Sequence, residues 1–373
     1  MKKFVLGALV AAGAVVHAQL PVPAVYDEWR RITIDGVVTR VEWANPRAYV
    51  FVDVREAGGT ASGSTVSNWA IEIGSPLDLE QRGWSRTTVR TGDSVSVEAV
   101  PARDNAKRAL LSTFWKTNPR ARVFSGNAAT AKAVPTVAGA APRWPDGQVR
   151  LGPPAGRKGY WGAASLTTMI ESGSKVSVRA DGLLANLSDA DRVAPFQPWS
   201  KAVYLHRQRT LLKDDPAARC LPSGGPRQFH TPNGLQFVEQ RDLGRILVLF
   251  GGGNRNWRII YTDGRPLGQA VEAVPSYYGS SVGRWEKDTL VVESVGYNER
   301  FWMTNGGLPH TEALRLVERF SRPDLNTLRY EVTVDDPRTY TRPWRSEWTV
   351  RWVPDREIEE FFCEENVEST FIR

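Results

Sequence analysis

Between residues 32 and 115 the chain carries short β-type runs separated by turn residues. Ile32-Thr33-Ile34-Asp35-Gly36-Val37-Val38 alternates apolar with polar or small residues, Val41-Glu42-Trp43 continues it, and Tyr49 to Val54 forms the next run. A period of two marks a strand with one face on a core. Asn45-Pro46 breaks the first two runs as a turn, and Gly58-Gly59, Gly63 and Ser64 mark a loop. Asn68 to Ile73 places Trp69, Ile71 and Ile73 on one face, and Asp93 to Val100 turns Val95 and Val97 inward. A single helical turn over Pro76 to Arg82 and a last strand over Arg108 to Trp115 complete the segment. Five or six short strands with one small helix predict a small closed barrel of the oligonucleotide/oligosaccharide-binding (OB) type, spanning 19–125.

Residues 126–158 change character. Ala, Gly, Pro and Thr dominate, which predicts a linker that buries little. Pro198 to Leu212 then reads as a helix with Trp199, Ala202, Val203 and His206 on its apolar face, so His206 is expected as a packed histidine. After Cys220 the pattern is β again. Strands are predicted over Leu235 to Val238, Ile246 to Phe250, Trp257 to Tyr261, Ser281 to Trp285, Thr289 to Ser294, Leu314 to Phe320, Leu328 to Val334 and Glu347 to Val353. Asp263-Gly264, Lys287-Asp288 and Asn305-Gly306-Gly307 supply turn chemistry. The expectation for 159–373 is a helix followed by an antiparallel, lipocalin-like barrel or a sandwich, so the chain is mainly β. Gly251-Gly252-Gly253-Asn254 lies between two strands and reads as a hairpin turn; a dinucleotide loop needs a helix after it.

The N-terminus adds a location. Met1-Lys2-Lys3, the apolar run Phe4 to Val16 and the small exit at Val16-His17-Ala18 have the order of a cleaved signal peptide (1–18), predicting a periplasmic or secreted protein. No later stretch is apolar for long enough to span a bilayer, so no transmembrane segment is expected in the mature protein. Loss of Lys2 and Lys3 lowers the net charge of +7 by two, leaving a mildly basic, mixed surface. Export argues against a nucleic-acid partner. An anionic glycan or lipid met by the small barrel through Trp84, Arg86, Trp115 and Lys116 is a weaker expectation.

The chain has two cysteines and four histidines. In an oxidising compartment Cys220 and Cys363 favour one disulfide, closing a loop of about 140 residues and contributing on the order of 4–5 kcal/mol by chain entropy; two buried free thiols are the alternative. His-Glu-x-x-His and Cys-x-x-Cys are missing from the sequence. No metal and no cofactor are expected.

Two stretches resemble known sequences. Trp43-Ala44-Asn45-Pro46-Arg47, Gly83-Trp84 and Gly92-Asp93-Ser94-Val95 resemble a small secreted bacterial domain of unknown function marked by Trp-x-Asn-Pro-His, with Arg47 standing in place of the histidine. From about 195 to 366 the chain resembles a family of uncharacterised exported bacterial proteins. The matching elements begin with Asp214-Asp215-Pro216, Cys220-Leu221-Pro222, Gly225-Pro226-Arg227 and Arg258 to Arg265. Tyr278 to Glu286, Asp288 to Glu293, Glu318-Arg319-Phe320, Asp335-Asp336-Pro337, Tyr340 to Trp344 and Cys363-Glu364-Glu365-Asn366 complete them. Relatives often show Cys-His-Glu at the end; Glu364 occupies the histidine's place. The resemblance implies export and no particular activity.

Candidate chemistry gathers in the second half. Tyr261, Arg265, Tyr277, Arg284, Trp285 and Glu286 are the expected ligand wall, since a barrel mouth can hold an apolar guest between aromatic side chains and orient it with a few polar groups. His310 or His230 with Asp263 and Tyr278 is the expected acid/base set, because histidine titrates near neutrality and a carboxylate can orient it. Asp335-Asp336-Pro337 reads as a turn, since adjacent strand residues cannot flank one substrate. The leading expectation is a binding protein for an apolar or aromatic small molecule. The alternative is a cofactor-free lyase, hydratase, isomerase or hydrolase.

Overall fold

A computed structural model describes residues 26–358 apart from 28–29, 45–46, 57–64, 75, 82, 104–105, 119, 126–138, 166–167, 180–181, 231–233, 252–256 and 271–273. The first unit contains β1 (Ile32–Glu42), β2 (Ala48–Glu56), β3 (Thr65–Gly74), α1 (Pro76–Gln81), β4 (Ser94–Pro101), β5 (Arg108–Thr117) and β6 (Arg120–Ser125). Its strand order is β3-β2-β1-β4-β5, and β3 also pairs with β5, so five strands close a barrel while β6 extends the sheet from β5. The β3–β5 joint is parallel. A ring with an odd number of strands cannot alternate direction all the way round, so one joint must be parallel. With α1 between β3 and β4, this is the expected OB-like barrel.

Inward positions are aliphatic. Val38, Val50, Val52, Ile71, Val95 and Val97 are buried with Phe114 and Trp84. The inversion of every second residue works because the strands are short and bend. β1 shifts register between Val38 and Arg40, and Gly36 lies so close to β2 that a Cβ there would sit 2.2 Å from the Asp53 carbonyl oxygen. Only glycine fits that approach.

The second unit contains β7 (Gly159–Ala164), α2 (Pro198–Arg209), α3 (Arg227–His230), β8 (Leu235–Gln240), β9 (Arg245–Phe250), β10 (Trp257–Tyr261), α4 (Leu267–Ala270), β11 (Ser280–Glu286), β12 (Thr289–Val295), β13 (Arg315–Asp324), β14 (Thr327–Asp335) and β15 (Trp344–Pro354). Nine strands close in the order β10-β11-β12-β13-β14-β15-β7-β8-β9. Again the count is odd, and again one joint, β10–β11, is parallel. The crossover 262–279 with α4 makes that joint, because parallel neighbours cannot be linked by a tight hairpin. The eight expected strands are all present; the ninth, β7, was not legible. Its Gly-Tyr-Trp-Gly-Ala-Ala composition does not alternate, and it closes the ring between β15 and β8.

Two expectations are corrected. The Ala/Gly/Pro-rich stretch buries more than its composition suggests: Val149 and Leu151 are fully buried in the barrel's core, and the Leu151 carbonyl accepts from Trp161 Nε1 at 2.8 Å. Residues 126–138 of the stretch lie outside the described residues. The buried face of α2 is Ser200, Tyr204 and Gln208, while Trp199, Ala202 and His206 face solvent. Polar side chains win this face because they satisfy backbone groups. Ser200 Oγ donates to the Thr339 carbonyl at 2.6 Å, and Gln208 bonds Leu184 N, Gly182 O and Gly306 O.

Candidate functional site

The centre of the large barrel is occupied by side chains of its own. Phe229 on α3 stacks on Tyr330 at 4.8 Å and meets Phe320 at 5.1 Å and Phe250 at 5.5 Å. Phe237, Phe320, Tyr330 and Trp161 have at most 1% exposure, and Trp348 has 4%. At zero exposure nothing the size of a water touches a side chain, so a guest at this level would have to displace rings.

Beside the rings lies a buried polar network. Arg258 (β10) and Glu318 (β13) pair bidentately. Arg258 also donates to Ser281 Oγ at 3.0 Å and Ser294 Oγ at 2.7 Å, and the Tyr330 hydroxyl donates to Glu318 at 2.8 Å. Burial pulls the Arg258 guanidinium's pKa down, but Glu318 more than offsets it and the net direction is up. A second buried arginine, Arg322, lies between the rings of Trp161 and Trp352 at 4.6 and 4.7 Å and donates to the carbonyls of Arg150, Gly152 and Leu325. Burial lowers its pKa to about 10.

Each of the four residues of α3 is held by a neighbour. Arg227 forms a bidentate pair with Asp215 at 2.8 and 2.7 Å, fixing the short helix on the preceding turn. Gln228 Nε2 donates to the Tyr278 hydroxyl at 3.3 Å. Phe229 enters the barrel, and its carbonyl accepts from Trp348 Nε1 at 2.8 Å. His230 Nε2 meets the Met303 carbonyl at 3.3 Å and its ring lies edge-on to Trp348. Tyr278, half-buried, stacks on Phe250 at 5.8 Å, and burial pushes its hydroxyl up to about 12. Tyr277 packs on Phe301 at 6.3 Å.

The expected site residues divide into three places. Tyr277, Tyr278, His230 and His310 gather at the α3 end and on the loop after β12. His310 is buried, with Nε2 3.1 Å from the Phe301 carbonyl, so both imidazoles rest on carbonyls of the stretch 301–303. Burial lowers the His310 pKa against the opposing pull of its carbonyl neighbours and of Asp336 and Glu299. Asp263 does not join them: its carboxylate is bonded by Arg265, whose guanidinium lies 3.9 Å over the ring of Tyr261 at the end of β10. Arg265 holds the Asp263 carboxyl below the usual range. Arg284 and Glu286 point outward, in a surface ladder with Glu293, Arg315 and Arg319, whereas Trp285 between them packs on the core. Cys220 ends a short turn in a left-handed conformation; Cys363 lies outside the described residues.

Gln228, Phe229 and the Asp215–Arg227 pair were missed as site-builders. Their signal was the order Asp215-Pro216 and Pro226-Arg227, two prolines each beside a charge that needed a partner. Asp336 is likewise structural: it accepts from Thr311 N, Thr311 Oγ1 and Thr339 Oγ1. Among the described residues no three His, Cys, Asp or Glu side chains cluster as a metal site requires, and no helix is long and apolar enough to cross a membrane.

The small barrel holds its own buried polar cluster. Glu72 (β3) accepts from the Tyr26 hydroxyl at 2.7 Å and pairs with Arg47 at 3.4 Å. Burial and Glu72 push the Tyr49 hydroxyl up to about 12. Trp84, expected at a glycan-facing surface, fills the core edge-on to Phe114, and Lys116 pairs with Asp93 at 2.8 Å.

A family model described as a family of unknown function (DUF6152) matches residues 8–111, which covers the small barrel into β5 and none of the large one. No curated protein and no solved structure matches the chain.

Proposed function

We propose that the chain is an exported binding protein that takes a flat apolar or aromatic small molecule at the α3 end of the nine-stranded barrel. The observation that carries this reading is Tyr278: half-buried, stacked on Phe250, its hydroxyl held by Gln228. An aromatic wall with one fixed polar group is the usual make-up of a small-molecule site. The rings below it are fully packed, so the ligand sits at the rim rather than in the interior. Thermal melting against a panel of aromatics, long-chain lipids and glycans tests it. Aromatics should raise the melting temperature of the native chain and leave Tyr278→Ala unchanged; no stabilisation by any of the three classes sinks the reading.

The enzymatic reading rests on His230 and His310 meeting one three-residue stretch. The carboxylate expected to pair with them, Asp263, is held by Arg265 instead, and we place this reading second. Export is part of the proposal. N-terminal sequencing of protein from the periplasmic fraction should begin at Gln19; an intact Met1 in the cytoplasmic fraction contradicts it.

A further inference from the structure

The joints of the nine-stranded barrel are unequal. β8, β9 and β10 are zipped along their whole lengths: Leu235 to Gln240 runs against Phe250 to Arg245, and Trp257 to Tyr261 against Leu249 to Arg245. From β11 to β15 the ladders are equally continuous, and β7 extends that sheet by pairing with β15. The two joints between these groups are short. Among the described residues β10 meets β11 at Ile260–Ser281 and Tyr261–Val282, and β7 meets β8 at Trp161–Leu235. The barrel is therefore a six-stranded sheet, β11–β15 with β7, closed by the three-stranded unit β8–β10.

Side chains carry most of what crosses the two seams. Gly283 on β11 presents bare backbone to β10: a Cβ there would lie 2.8 Å from Ile260 Cγ2. Arg258 of β10 reaches Ser281, Ser294 and Glu318 of the six-stranded sheet, and Phe237 of β8 meets Phe320 at 5.5 Å. At the other seam Gln236 Nε2 donates to the Gly159 carbonyl at 3.2 Å, and the half-exposed pair Arg241–Asp146 ties down the β8–β9 turn. Opening would return the charges of Arg258 and Glu318 to water, so hydration offsets much of the Coulomb energy lost. Moving β13 instead means breaking continuous ladders on both of its sides. The chain enters the unit at Gly234 and leaves it at Gly264, with φ of +92° and +83°. A few such positions at the ends of elements can absorb the dihedral change of a hinge.

We infer that β8, β9 and β10 open as one unit, a flap hinged at Gly234 and Gly264, while β11–β15 and β7 stay folded. Closure also completes the rim wall. Phe250 belongs to the flap, whereas Tyr278, stacked on it, belongs to the six-stranded side, where nearby Ser276 bonds Gly296 and Asn298 after β12. The inference goes beyond the small-molecule reading and does not depend on it, because the opening is a property of the chain whatever the rim binds.

Native-state hydrogen exchange of the full chain in sub-denaturing urea, read by peptide mass, tests it. Peptides within 235–250 and 257–261 should exchange together, about tenfold or more faster than those within 289–295 and 315–335. Equal protection throughout, or exchange of β10 without β8 and β9, overturns the flap. A second measurement ties the seam. Tyr261 and Val282 pair across it and point outward, and neighbouring strands about 4.8 Å apart lie within disulfide reach. In the variant Tyr261→Cys with Val282→Cys, oxidation of the new pair should slow exchange of β8–β10 to the rate of β12–β14. The same variant with both thiols alkylated should keep the native difference. Identical exchange in the two forms also overturns the flap.

Discussion

Inside the five-stranded barrel the space between sheets is filled by Val38, Val50, Val52, Ile71 and Val97, while inside the nine-stranded one it takes Phe229, Phe237, Phe320, Tyr330 and Trp348. The difference follows from size. Barrel diameter grows with strand number, and residues that meet across five strands cannot meet across nine. The larger ring therefore uses aromatic residues, borrows Phe229 from a helix outside the sheet, and bridges β10 to β13 with Arg258 and Glu318. A filling made of long polar and aromatic groups must satisfy its hydrogen bonds, whereas an aliphatic one need only pack. The two barrels should therefore fail in different ways when their centres are altered.

The largest expected effect is at the bridge. Glu318→Leu leaves the Arg258 charge buried with only hydroxyl partners and should cost about 3–5 kcal/mol. Arg258→Met together with Glu318→Leu removes both charges and should recover most of that loss. Urea unfolding of the two variants, followed by hydrogen exchange on β13 and β14, measures both, and exchange on β1–β5 should not change. A single variant within 1 kcal/mol of the native chain would mean that the network is not what holds the large barrel.

Phe229→Ala comes next, at roughly 3 kcal/mol, because a ring in contact with Tyr330, Phe320 and Phe250 leaves a void that the strands cannot close. The cavity should be apolar and able to take benzene, so benzene should raise the variant's melting temperature and leave the native chain's unchanged. Stabilisation of the native chain by benzene would show that its interior already has room. In the small barrel the matching change, Ile71→Val, should cost only about 1 kcal/mol, since one methylene among aliphatic neighbours relaxes easily. A loss as large as that at Phe229 would erase the contrast.

Much of this architecture was legible before any coordinates. All eight strands expected after Cys220 are present because each is a short run rich in β-branched and aromatic residues, with strict alternation in β14 and β15, and Lys287-Asp288 makes the tight β11–β12 turn. What escaped the sequence is what pattern does not encode. β7 has no alternation, α2 buries a polar face to serve loop carbonyls, and Val149 and Leu151 sit in a stretch whose composition resembles a tether. Some candidate residues are partners of one another, as Asp263 is of Arg265, and charged residues of the matching motifs also pair. Arg258 meets Glu318, and Asp215 meets Arg227, across 60 and 12 residues of chain. A single sequence cannot show that two distant charges are a pair, so neither pair was expected.

The smallest expected effect separates the loop after β12 from both barrel cores. His310 is buried against Phe301 and the carbonyls of Phe301 and Thr311, and burial lowers its pKa below the ordinary histidine value. In the unfolded chain the ring takes up its proton near pH 6.5, while in the folded chain it does so only at lower pH. The unfolded state therefore binds more protons across that window, and stability is fully present above about pH 6.5 and declines as pH falls through it. Asp336 and Glu299 oppose this by favouring the charged ring, which keeps the effect modest. His310→Gln should be less stable than the native chain at pH 7.5 yet show a flatter decline between pH 7.5 and 5.5, read from urea midpoints at each pH. Parallel curves would mean that the imidazole does not titrate between the two states, and that the acid sensitivity of the large barrel resides in its carboxylates.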